Sequence, residues 1–196
     1  MNPEWIKMFR DLQADKEYQK LVRSSINDEF EKIKQKYIEE FNNHPITQEI
    51  KGGISANNIS GTLNGITNLY SFIGFDEGTD PIKPIEDLLQ KSNYRIVFNP
   101  NGIDSTVIFD IPTAAQIFEI TPMPWAIGRS WARGIETGIS GLGYYLKKKK
   151  NSRSGFGIQS STSQVRIGAS FKNTRYISDL INRFNKELRD LNKLKT

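Results

Sequence analysis

The feature that most limits what this chain can fold into lies at its start. Trp5, Phe9 and Leu12, then Val22, Ile26, Phe30, Ile33, Tyr37 and Phe41, recur mostly at steps of three or four, with Lys, Glu, Asp and Gln between them. This is the apolar stripe of an amphipathic helix about forty residues long, or of two helices broken near Asp15 or near Ser24 and Ser25. A helix of that length exceeds the ordinary globular range. It can bury its stripe only along a sheet or along a neighbouring subunit. His44 stands before Pro45 and ends it, because a residue preceding proline avoids the α region.

A second stretch, residues 121–172, organises the other half. Ile127, Trp131, Ile135, Ile139, Leu142 and Leu146 recur at helix spacing. Gly134, Gly138 and Gly141 lie beside that stripe, and each interior glycine costs a helix up to about 1 kcal/mol against alanine. Either the backbone there approaches something closely, or the helix breaks near Gly138. We therefore take these three as packing glycines. Lys147, Lys148, Lys149 and Lys150, with Arg153 just beyond, form a charged loop. Val165, Ile167, Ala169 and Phe171 then alternate with Arg166, Gly168, Ser170 and Lys172, the pattern of a half-buried strand. Its expected partner is the segment 156–160.

Between these stretches, residues 43–68 are rich in Gly, Asn, Ser and Thr and read as a long ordered loop with short strands. Residues 68–75 are apolar and aromatic and suit a strand. Asp80 and Pro81 read as an N-cap and first helical position for a short helix bearing Ile82, Ile85, Leu88 and Leu89. Tyr94, Ile96 and Phe98 alternate with Arg95, Val97 and Asn99. With the Pro100–Gly102 turn and a returning strand over 106–111 they make a hairpin. Residues 113–119 suit one or two helical turns. A last helix, capped by Thr174 or Asn173, carries Ile177, Leu180, Ile181, Phe184, Leu188, Leu191 and Leu194 opposite a basic face. The fold class expected is α+β: an antiparallel sheet flanked by a long N-terminal helix and a C-terminal helix. A single domain spans 1–196, with a helical arm (1–43), a sheet-containing core (44–172) and the C-terminal helix (173–196). At 196 residues such a chain buries roughly 70% of its unfolded surface without staples.

The motif inventory narrows the chemistry. There is no cysteine, so there is no disulfide framework, thiolate metal site or cysteine nucleophile. His44 is the one histidine, and beside Pro45 it suits a helix end better than catalysis, which needs a positioned partner. Asp76, Glu77 and Asp80 lack the alternating spacing of a calcium loop and suit a solvated turn. The glycines of the second stretch follow neither dinucleotide nor P-loop order. Trp125 and Trp131 suit a core. No apolar segment reaches the length of a signal peptide's core or of a membrane span. We expect no enzyme activity and no cofactor. The net charge of +5 permits contact with DNA or acidic surfaces without requiring it, and the lysine loop could face phosphates.

The run PMPWAIGRSWARGIETGISGLGYYL, the basic loop, RSGFGIQ and FKNTRYIS resemble the neck or tail-completion proteins of contractile-tailed bacteriophages. The earlier segments HPITQEI, NNISGTL and NLYSFIGF are similar to that family's N-terminal half. The matching stretches span residues 43–184. The resemblance implies a structural virion protein without catalytic residues. It would form a ring of identical subunits, a hexamer, around the DNA channel where head connector meets tail. Its partners would be itself, other neck or connector proteins, and tail-tube or sheath-terminator proteins. Non-specific contact with genomic DNA through Lys147–Lys150 and Arg153 is a further implication. Such a protein is assembled in the host cytoplasm, away from membranes. Charge alone leaves a second class open, a basic nucleic-acid-binding module.

Overall fold

The computed structural model describes residues 3–63, 67–99, 105–124, 126–138 and 172–193. In chain order the helices are α1 (Pro3–Ala14), α2 (Lys16–Asn43), α3 (Pro45–Lys51), α4 (Leu69–Ile73) and α5 (Lys83–Gln90), then α6 (Ala114–Glu119), α7 (Trp131–Thr137) and α8 (Ile177–Lys193). The strands are β1 (Asn93–Phe98), β2 (Ser105–Asp110), β3 (Pro122–Met123) and β4 (Ala126–Ser130). This is an α+β fold with antiparallel strands between the long N-terminal helix and the C-terminal one.

The N-terminal stripe is broken at Asp15. Its backbone is extended (φ −69°, ψ 125°), and its carboxylate accepts from the N–H groups of Glu17 and Tyr18 at 2.7 and 2.9 Å. An aspartate in this role satisfies donors that a helix start otherwise leaves open. The stripe of α2 then serves two partners. Ile26 and Phe30 face the β1–β2 hairpin, where the Phe30 ring lies 5.0 Å from that of Tyr94 and 6.0 Å from that of Phe109. Tyr37 and Phe41 face α8, with ring separations of 4.6 Å to Phe184 and 6.0 Å to Tyr176. Lys36 to Glu187 (2.9 Å) and Arg183 to Glu40 (2.6 Å) flank the second contact. Burial pushes the Glu187 carboxyl up, but hydrogen bonds from Lys36 and Tyr37 outweigh it and hold the group below its ordinary value.

The expected hairpin is present, with Ile96 opposite Val107 on its buried face. A two-stranded sheet is marginal alone; this one is held by Ile26, Val22 and Phe30 of α2. The hairpin expected over 156–172 lies outside the described residues, apart from Lys172, whose N–H donates to the Thr62 carbonyl at 2.9 Å. The described second pairing is instead the short β3–β4 ladder.

Four local expectations are corrected. Residues 69–73 form the helix α4 rather than a strand. The Asn68 side chain accepts from the Ser71 N–H at 2.8 Å, and Gly74 closes the helix at φ 89°. Leu69, Tyr70, Phe72 and Ile73 are all buried, so no period distinguishes strand from helix and the caps decide. Residues 45–51 are α3 rather than loop, because Pro45 starts a second helix as well as ending the first. Asp80 does accept from the Ile82 and Lys83 N–H groups, at 3.0 and 3.1 Å, but α5 begins at Lys83 with Pro84, not Pro81, in its first turn. Ile127 lies on β4 and is 94% exposed, so the helical stripe starts only at Trp131.

Candidate assembly interface

The segment around α7 was the strongest sequence candidate, and its chemistry is structural. Ser130 caps α7 through the Arg133 N–H at 3.0 Å. Trp131 and Ile135 are fully buried, with Phe75 edge-on to Trp131 at 5.8 Å. Gly134 is buried within the helix. Gly138 ends it at φ 96°, donating its N–H to the Gly134 carbonyl at 2.8 Å. A Cβ at Gly138 would stand 3.5 Å from the Asn173 side-chain oxygen. That is ordinary contact, so positive φ rather than space demands glycine here. Gly141, Lys147, Lys148, Lys149, Lys150, Arg153 and Trp125 lie outside the described residues.

Glu136 is a residue that sequence reasoning missed. Its carboxylate accepts from the Tyr176 and Ser178 N–H groups at 3.3 and 2.7 Å, and also from the Ser178 hydroxyl. It thus caps α8 from another helix, in place of the expected Thr174 or Asn173; the Thr174 hydroxyl donates instead to the Lys172 carbonyl at 3.2 Å. The Thr174 N–H also reaches the Ile135 carbonyl at 3.1 Å. A cap supplied across forty residues leaves no local spacing to find.

The other polar groups with catalytic potential are engaged similarly. His44 ends α2 and starts α3, its Nδ1 accepting from the Ile46 N–H at 3.2 Å. Its ring rests on Tyr176 at 4.8 Å. Burial, followed by the Arg183 charge, pulls its pKa below 6.5. Glu49, fully buried, accepts from the Ser60 and Leu69 N–H groups at 2.8 and 2.7 Å, which ties both residues to α3. Tyr176 is wholly buried against Thr47 (2.6 Å), and that burial raises its pKa. Asp76, Glu77 and Asp80 form a turn in which Asp80 serves backbone donors. Among the described residues no group of three His, Cys, Asp or Glu is placed to hold a metal ion.

Surface clefts bordered by described residues include two of note. One, about 600 Å³, lies between α6, β4 and α7, with Phe118, Met123, Arg129, Arg133 and Gly138 in its wall. The other, about 340 Å³, is bordered by Gly52, Ile54, Tyr70, Gly78 and Asp80. Neither gathers a nucleophile, base and orienting group.

What the surface does present is apolar area. In α1, Trp5, Met8 and Leu12 stand on one face at 54%, 48% and 42% exposure. Ile6 and Phe9 are half-buried, and no residue of α1 belongs to either buried cluster of the body. The hairpin's outer face carries Val97 and Ile108, both exposed, beside Arg95. Comparison with family models, with curated proteins and with solved structures finds no match. No helix among the described residues is long and apolar enough to cross a membrane.

Proposed function

We propose that this chain is a structural subunit of a tailed-phage virion. It forms a hexameric ring at the neck or tail terminus, joining the head connector to the tail, and has no catalytic role. The observation that carries the reading is the contrast between surface and interior. His44, Glu49 and Glu136 are occupied as caps and pins, while large apolar side chains on α1 and the hairpin stand outside the body. Scattered exposed apolar residues are normal, but grouped ones on separate elements mark contact surfaces. The resemblance read from the sequence of residues 43–184 to neck proteins supports this place in the particle. Lys147–Lys150 and Arg153 would then face the DNA channel or an acidic neighbour.

Mass measurement by light scattering, paired with DNA binding against salt, tests this. A ring subunit gives a six-fold mass or rings by electron microscopy, with weak DNA affinity as a monomer. A basic nucleic-acid module would stay small and bind DNA tightly at low salt, losing affinity steeply as salt rises. That second result would overturn the reading.

A further inference from the structure

The same chain carries two bare apolar surfaces, one on α1 and one on the β1–β2 hairpin. A twelve-residue helix is marginal in water by itself, and α1 has no place in either buried cluster. Its Trp5, Met8 and Leu12 need a partner surface. A two-stranded sheet has two faces and α2 covers one of them, through Ile26 and Phe30 on Tyr94, Ile96 and Phe109. The other face, Val97 and Ile108 around Arg95, is left open. The outer face carries Arg95 and, beyond Ile108, Asp110, and Arg95 can form one opposite-sign pair with α1. At 100° per residue, Asp11 borders the Trp5–Met8–Leu12 stripe on one side, whereas Lys7 and Arg10 fall toward the back of the helix. Arg95 sits directly opposite Ile108 in the ladder, where it would meet Asp11. Within one chain α1 leaves this face bare, with Val97 at 48% exposure.

We propose that α1 of one copy lies across the outer face of the β1–β2 hairpin of a neighbouring copy. Trp5, Met8 and Leu12 seat on Val97 and Ile108, and Asp11 pairs with Arg95. The contact joins two different surfaces of identical chains, so it is head-to-tail and propagates into a closed ring or a filament. It rests on the reading of the chain as a ring subunit and names the surfaces through which that ring closes.

The test uses two variants of the full chain, one with Trp5→Ser, Met8→Ser and Leu12→Ser, the other Ile108→Glu. Both alter exposed side chains, and circular dichroism confirms that each is folded. Each alone should run as a monomer. Mixed, each still owns one intact surface, so a one-to-one complex should form and grow no further. The absence of native cysteine allows a second measurement independent of those variants. Leu12→Cys mixed with Ile108→Cys should give a covalent dimer under mild oxidation, well above the yield of either chain alone. Variants that keep the parent's mass, a mixture that stays monomeric, or mixed cysteine chains no more cross-linked than single ones would overturn the contact. Rings that survive both variants would refute it and leave the neck reading standing. A parent that polymerises through these surfaces into open filaments would support the contact and defeat the ring.

Discussion

At Gly138 a single backbone angle sets where α7 stops. A side chain there has room beside Asn173 but must adopt φ 96°, so Gly138→Ala should cost about 1–3 kcal/mol, and Gly138→Val more. Gly134 sits in helical backbone and carries no such demand, so Gly134→Ala should cost less than Gly138→Ala. Thermal melts of the three variants decide this; equal stability at Gly138 would refute the backbone argument. His44 makes a pH prediction. Its pKa is depressed in the fold, so it contributes stability that is present above about 6.5 and is lost as pH falls below that value. Protonation also removes the Nδ1 acceptor that caps α3. The charged groups facing it are Arg183 and Asp179. The melting temperature should therefore drop between pH 7 and pH 5 in the parent, and drop less in His44→Asn, which keeps an N-cap acceptor. Glu187 adds its loss only in the carboxylate range, below its ordinary 4.5. These residue-scale features differ in how far they can be read from sequence. The glycine beside a stripe and the histidine before a proline were both visible, whereas Glu136 was not, because its partners lie forty positions away.

Elements with their own period or their own caps were legible. The stripe of α2, the β1–β2 hairpin and the Thr113 start of α6 all follow from local spacing and chemistry, and Asp15 was one of two breaks the stripe allowed. Those that failed lacked a readable period. Four buried apolar residues in α4 fit helix and strand equally, and Ile127 continued a helical spacing while the chain was still strand. At this scale the cap on α8 is the testable feature. Glu136→Ala leaves the Tyr176 and Ser178 N–H groups without that acceptor and should cost about 1–2 kcal/mol. Glu136→Gln, which retains an oxygen, should cost less; chemical denaturation measures both. Phe30 tests the link between α2 and the hairpin. Phe30→Ala should cost about 3–5 kcal/mol and expose Tyr94 and Phe109 together, which hydrogen exchange across 93–98 and 105–110 would register. Loss of protection confined to α2 would show that the hairpin is held otherwise.

For the whole molecule, the α+β class and the long N-terminal helix were legible because both rest on long amphipathic stripes. The surfaces that α1 and the hairpin turn outward were not, since an apolar stripe does not say whether its cover belongs to the same chain. One contact has a consequence for how this chain can be lengthened. Gly138 lies beside Asn173, Thr174 bonds to Ile135, and Glu136 holds the start of α8. The two ends of residues 139–171 are thus fastened to each other by groups outside that span. Where the ends of a segment are already fastened, lengthening it is inexpensive, about 0.6 kcal/mol for each doubling of a flexible chain. A reporter peptide of thirty residues inserted after Ser152 should therefore lower the melting temperature by only a few degrees.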